Sequence, residues 1–230
     1  MIMSRPLIVA IDGPSGAGKS TLGRMLARSL GLLYLDTGAM YRAAALAVIQ
    51  SGTSTKDAEA VAHTVARSGI TLAGDPDSLR VTLDGRDVSA EIRTEEVSQS
   101  ASVISTIPEV RRILVQRQRE LGAQGGVVLD GRDIGTVVFP DADVKFFLTA
   151  VPEARARRRY DEERMRARDV TFEQTLEDIN QRDQRDSTRL TSPLAIAKDA
   201  IVLDTTELSI EEVFDRMMQT IGERERAAKG

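Results

Sequence analysis

Five short apolar runs separated by helical patterns predict an α/β protein with a five-stranded parallel sheet flanked by helices. The runs are Leu7–Ile11, Leu32–Leu35, Val127–Leu129, Val144–Leu148 and Ala200–Leu203. Strands that are apolar throughout, rather than alternating, are buried on both faces, as in a parallel sheet covered by helices on either side. The second observation is Gly13-Pro14-Ser15-Gly16-Ala17-Gly18-Lys19-Ser20, which fits G-x-x-x-x-G-K-[ST] directly after the first run. Runs and motif together predict a P-loop NTPase-type three-layer fold. The third is a change of pattern between Ser68 and Arg93. There Ile70–Ala73 and Leu79–Leu83 alternate like strands and Asp84-Gly85 reads as a hairpin turn, predicting a small antiparallel β insertion.

The first strand leads through the glycine loop into a helix with Leu22, Met25, Leu26 and Leu30 on one face and Gly31 as its stop. This arrangement aims backbone N–H groups and a helix N-terminus at one spot, which favours a polyphosphate. Lys19 adds a point charge there, and Ser20 a hydroxyl suited to Mg²⁺. Asp12, closing the first run, is expected to hold the loop by local hydrogen bonds.

Three later runs also end in Asp, at Asp36, Asp130 and Asp204. Ligands of such sheets bind beyond the carboxyl ends of the strands, so these are site candidates. After Asp36 a helix opens, with Thr37 as the expected N-cap. Position alone leaves Arg42, one turn in, between a substrate phosphate and a surface ion pair. Helices are expected over Thr94–Ser105 and Pro108–Gly122, the second with Pro at its first position. Asp130-Gly131-Arg132-Asp133 then presents an acidic residue to Mg²⁺ and sets Arg132 toward a phosphate or a substrate. It is not the D-x-x-G of a GTPase, since its fourth residue is Asp133, and no Asn-Lys-x-Asp segment is present.

Seven arginines fall within Arg155–Arg168. Arg155, Arg158 and Arg159 share a helix face, where they repel one another unless an anion lies between them; this favours a helical lid that closes on phosphate over a solvated face. Arg182, Asp186 and Arg189 form a second stripe, for which spacing alone favours a surface ion-pair ladder. Capping boxes are expected at Thr171–Gln174 and Ser209–Glu212. The charged tail from Glu223 is expected to fray.

Composition narrows the chemistry. The 230 residues include no Cys and one His, His63, which excludes disulfides and thiolate metal sites and leaves no multi-histidine centre. Hydrophobic residues are 41% and charged residues 29%, as in a soluble core-forming chain. Net charge is −4, which argues against broad nucleic-acid binding. No apolar stretch approaches the ~20 residues of a membrane span, and no signal peptide precedes the first strand. A cytoplasmic protein is expected. Arginines outnumber lysines 26 to 5.

Taken together, these segments resemble the bacterial cytidylate kinases from the first strand to the last helix. The resemblance rests on I-D-G-P-S-G-A-G-K-S at Ile11–Ser20, D-T-G-A-M-Y-R at Asp36–Arg42 and E-I-R-T-E-E-V at Glu91–Val97. It also rests on L-D-G-R-D-I-G-T-V-V-F-P-D-A at Leu129–Ala142 and R-D-Q-R-D-S-T-R-L-T-S-P-L at Arg182–Leu194. The phosphate loop is shared by many families, whereas the last two motifs are far more specific. Adenylate-, thymidylate- and shikimate-type kinases lack that pair. The Ser68–Arg93 insertion also matches the small antiparallel sheet of the bacterial enzymes.

The resemblance implies transfer of the ATP γ-phosphoryl group to CMP or dCMP by a monomer, with Mg²⁺. It implies ATP binding by Gly13, Pro14, Ser15, Gly16, Ala17, Gly18, Lys19, Ser20 and Thr21, with the lid arginines Arg155, Arg158 and Arg159. Thr37, Arg42, Arg132 and Asp133 fall at monophosphate positions, Ser102 and Arg111 at the cytosine edge, and Arg182 and Asp186 at the ribose. Arg189 falls on the base and phosphate side. Lys19, Arg132, Asp133, Arg158 and Arg189 are the expected catalytic group; Ser20 is the expected Mg²⁺ ligand, with Asp130 beside it. The implied division is a core at about 1–36, 94–152 and 190–230, a monophosphate-binding region with the β insertion at about 37–93, a lid at about 153–170 and an acceptor helix at about 171–189.

Overall fold

The computed structural model describes residues 6–165 and 169–229. The five apolar runs become β1 (Ile8–Asp12), β2 (Leu33–Asp36), β6 (Val127–Asp130), β7 (Val144–Thr149) and β8 (Ile201–Asp204). They form one parallel sheet in the order β2-β6-β1-β7-β8. The central β1 is buried at every residue. Val9, Ile11 and Phe146 pack on one face against α1 (Lys19–Leu30) and α8 (Ile210–Lys229), through Leu22, Leu26, Val213 and Met217. Ile8, Ala10, Val127 and Leu129 pack on the other face, against Val115 of α5 (Pro108–Leu121) and a π turn at Ile134–Val138. These are the three layers that the continuous apolar runs require.

A second cluster lies to one side. It joins α2 (Thr37–Gln50), α3 (Ala58–Arg67) and α4 (Glu95–Ile104) to the antiparallel sheet of β3 (Ile70–Ala73), β4 (Arg80–Leu83) and β5 (Arg86–Asp87). Asp84 and Gly85 turn between β4 and β5 with φ of 51° and 82°. Two successive left-handed residues match the twist of a tight hairpin. The two-residue β5 is too short to show an alternating pattern. Ala43, Ala44 and Ala47 of α2 meet Val97 and Ala101 of α4 in this cluster, small residues that let the two helices pack.

After β7, α6 (Pro152–Met165) and α7 (Phe172–Thr188) pack together as a helical pair. Arg166 and Arg168 of the expected lid lie outside the described residues. The Thr171–Gln174 capping box forms, and so does its counterpart at Ser209 and Glu212. α8 runs through the charged tail from Glu223 to Lys229.

Two local expectations are corrected. The N-cap of α2 is Asp36, whose carboxylate accepts from the Ala39 N–H at 2.7 Å, while Thr37 is the first helical residue. Asp12 does not tie the glycine loop. Its carboxylate accepts from the N–H groups of Ile134 and Gly135, at 2.8 and 2.7 Å, and so anchors the turn after β6. Burial raises its pKa from 3.8 to about 6 against those two bonds.

Candidate active site

The carboxyl ends of β1, β2 and β6 open into one cavity of about 520 Å³. At one end lies the glycine loop. Gly13 sits at φ +142°, where a Cβ would stand 2.0 Å from the Leu148 carbonyl oxygen, so only glycine lets the loop leave β1 beside β7. Gly18 caps α1 in a left-handed conformation, with no side-chain bond and no acidic residue in the first turn. The free N–H groups of that turn are therefore left for an anion. Ser15 through Thr21 line the cavity, whereas Gly13 and Pro14 do not. Lys19 is buried, with its ammonium donating to the Pro14 carbonyl at 2.6 Å. Burial, and then the charge of Arg132, hold its pKa well below the usual lysine value.

The acidic floor comes from adjacent strand ends, with Asp36 and Asp130 in register. Asp130 accepts from Ser20 Oγ at 2.7 Å and Tyr34 Oη at 2.9 Å, and its carbonyl accepts from Thr37 Oγ1 at 2.7 Å. Burial and the neighbouring Asp36 raise its pKa. Arg42 donates to Asp36 at 3.0 Å, so it makes the ion pair and lines the cavity as well. Asp204, the third strand-end candidate, is not a site residue. It is exposed, off the cavity, and its carboxylate accepts from Thr206 N–H and Oγ1. Its strand lies at the sheet edge, away from the central crevice.

The other end is a chain of alternating charge. Arg132 Nε donates to Asp186 at 2.7 Å; Asp186 lies 3.5 Å from Arg189; Arg189 lies 3.9 Å from Asp133; and Asp133 is bonded to Arg111. Arg111 is 2% exposed, and its guanidinium sits 5.6 Å from the centre of the Tyr41 ring. The Arg182–Asp186–Arg189 stripe is thus not a surface ladder. It points inward, and Arg189 lies off the helix, at the C-cap of α7. Burial, then the charge of Arg132, lowers the Arg182 pKa to about 10. Ser102 also lines this end and accepts from Arg185 at 2.8 Å.

Arg155, Arg158 and Arg159, the three of α6 expected to share a face, part company. Arg158 and Arg159 line the cavity, the first bonded to Thr205 and the second paired with Glu163 at 2.7 Å. Arg155 is buried away from it.

Several groups were beyond the sequence reading. Tyr41 is half-buried with its hydroxyl enclosed, and desolvation pushes its pKa up to about 12. Arg185 contacts Ser102, and Leu208, Ile210 and Val213 form an apolar wall by the loop. The motif D-T-G-A-M-Y-R contained Tyr41, and R-D-Q-R-D contained Arg185; no spacing signal distinguishes either from its neighbours. Among the described residues the cavity is lined by ten cationic side chains and five carboxylates, in a protein whose net charge is −4. Buried nitrogens of Arg42, Arg111, Arg182 and Arg189 lack hydrogen-bond partners. Such a site is suited to a polyanion.

Comparison with known proteins agrees with this geometry. The family model for cytidylate kinase matches residues 9–223. A cytidylate kinase of Caldanaerobacter subterraneus subsp. tengcongensis is 53% identical over 213 residues, covering 93% of each chain. One from Geobacter sp. (strain M21) is 48% identical over 230 residues, covering 100% of this chain and 98% of its own. The phosphate loop, the acidic strand ends and the buried arginine–aspartate chain therefore lie in a protein that belongs to the cytidylate kinase family.

Proposed function

We propose that the protein transfers the γ-phosphoryl group of ATP to CMP or dCMP, giving ADP and CDP or dCDP. The observation that carries this reading is the single cavity with a phosphate loop at one end, an arginine–aspartate chain at the other and ten cationic side chains against five carboxylates. Two nucleotides whose phosphates meet in the middle satisfy both ends.

The loop N–H groups, the α1 N-terminus and Lys19 hold the β- and γ-phosphates. Arg42, Arg132, Arg158 and Arg189 surround the phosphoryl group in transfer and neutralise charge on its equatorial oxygens. The attacking oxygen belongs to an ionised phosphate, so no histidine base is needed. Thr37, Arg42, Arg132 and Asp133 hold the acceptor phosphate region, Ser102 and Arg111 the cytosine edge, and Arg182 and Asp186 the ribose. Donors and acceptors of this kind match the N4 donor and the N3 and O2 acceptors of cytosine.

The site chemistry fits Mg²⁺. Ser20 Oγ and an Asp130 oxygen converge beside the loop, 2.7 Å apart, and no cluster of three acidic or imidazole ligands competes among the described residues. Mg²⁺ characteristically takes one or two protein oxygens with waters and substrate phosphates. Ser20 and Asp130 would hold it, and the bound ion would neutralise phosphate charge.

The segments at about 37–93 and 153–170 act as the moving parts, closing over acceptor and donor to exclude water. The enzyme works as a monomer, without nucleic acid or membrane, in the cytoplasm. No helix among the described residues is long and apolar enough to cross a membrane. A coupled assay across nucleoside monophosphates, with ATP and Mg²⁺, tests the function. CMP and dCMP are expected to be the best acceptors, and a better rate with AMP, UMP or TMP would overturn it.

A further inference from the structure

Arg155 differs from Arg42, Arg111, Arg182 and Arg189 of the cavity wall. Its side chain is 4% exposed, and all three guanidinium nitrogens are engaged. Nε donates to the Ala150 carbonyl at 2.8 Å, just beyond β7. Nη1 donates to the Ser15 carbonyl in the glycine loop at 3.1 Å. Nη2 pairs with Asp183 of α7 at 2.6 Å. By contrast, Arg42, Arg111, Arg182 and Arg189 each keep a buried nitrogen without a hydrogen bond. Those four line the cavity; Arg155 does not.

The backbone around it is equally close. A Cβ on Gly16 would stand 2.9 Å from Arg155 Cβ and 3.0 Å from its carbonyl oxygen, and Gly16 has φ +77°. The first turn of α6 therefore sits on the loop with no room for a side chain. Asp183 adjoins Arg182 on α7, and Asp186 lies one turn further along the same helix. A planar fork is suited to this task, because it fixes three directions at once, which a flexible ammonium cannot.

We infer that Arg155 is a positioning residue that couples the two nucleotide sites rather than a ligand of ATP. It joins the loop that grips the donor to the helix that carries Arg182 and Asp186 toward the acceptor. A shift of α7 on acceptor binding pulls on Asp183, and through the guanidinium on the Ser15 carbonyl. This inference rests on the two-nucleotide reading and adds a route of communication between its halves.

Coupling between sites is measured as the factor by which one ligand changes the affinity for the other. The experiment is calorimetric titration of CMP into the full chain, with and without saturating non-hydrolysable ATP analogue and Mg²⁺. It is carried out on wild type, Arg155→Met, Arg155→Lys, Asp183→Asn and the Met/Asn double variant. Wild type is expected to show a coupling factor of about 5 or more. That factor falls toward 1 in Arg155→Met and in Asp183→Asn, falls no further in the double variant, and is poorly restored by Arg155→Lys. Each single variant retains CMP affinity in the absence of the analogue. A merely structural role lowers thermal stability without moving the coupling factor, and that result would overturn the inference. So would a wild-type factor near 1, or loss of analogue affinity in Arg155→Met with Asp183→Asn unchanged, which would make Arg155 a direct ligand. If Arg155→Met does not fold, Asp183→Asn alone decides, since it leaves the arginine in place. Failure of wild type to bind CMP at all would instead refute the proposed function.

Discussion

Ser20 Oγ donates to Asp130 Oδ2 at 2.7 Å, across a separation of 110 residues. The contact brings the first turn of α1 to the end of β6, and so joins the loop motif to the acidic strand end. If this pair holds Mg²⁺, Ser20→Ala and Asp130→Asn should each raise the Mg²⁺ concentration needed for half-maximal ATP binding. The expected shift is about tenfold or more, the scale on which even outer groups of a metal site act. Calorimetry of ATP at varied Mg²⁺ reads this directly. An unchanged requirement in both variants would place the ion elsewhere.

Lys19 is a buried cation whose charged form is disfavoured by burial. Lys19→Ala should therefore leave the ligand-free protein at nearly wild-type thermal stability. Turnover should fall by about 100-fold or more, since the lost charge acts where the transition state gathers its own. Steady-state kinetics and a melting curve on the same sample check both halves. Near-normal turnover would remove Lys19 from the catalytic group.

Arg111 and Asp133 form an ion pair whose side chains are 2% and 7% exposed. Removing one partner from such a pair strands a buried charge. Arg111→Met should cost about 3–5 kcal/mol in urea unfolding and raise the KM for CMP more than that for ATP. A loss under about 1 kcal/mol would show that Arg189, 3.9 Å from the same carboxylate, takes over the pairing.

Asp12 gives a pH signature. Its folded pKa of about 6 lies above the ordinary 3.8, so the folded state holds the proton longer than the unfolded chain does. The stability it contributes is greatest below about pH 4, falls as pH rises toward 6 and is constant above that. Chemical denaturation of wild type and Asp12→Asn between pH 4 and 8 isolates the effect. The stability difference between them should shift against the wild type from pH 4 to 6, then level off. A difference that is flat across this range would mean that the two N–H bonds from Ile134 and Gly135 outweigh burial.

The sequence by itself determined the sheet, the loop and the two capping boxes. Val9 and Ile11 pack toward one helical layer and Ile8 and Ala10 toward the other, so an unbroken apolar run already implies a covered parallel strand. Gly18 takes the left-handed backbone that opens α1, Gly31 the one that ends it, and the box at Thr171 and Gln174 spans four residues. All of these are local, so periodicity and residue type suffice to read them.

Tertiary structure alone decided which charge meets which. Asp130 and Asp204 both end apolar strands, yet one faces the cavity from beside β1 and the other is exposed at the sheet edge. Arg155, Arg158 and Arg159 have the spacing of one face, but packing buries the first against Ser15, 140 residues away, and opens the other two to the cavity. Arg132 finds Asp186 across 54 residues, and Arg111 finds Asp133 across 22. Helical spacing brings charges to a face; only long-range packing fixes how deeply that face is buried. Burial in turn sets the local dielectric, and with it whether a pair is a weak surface contact or the framework of a binding site.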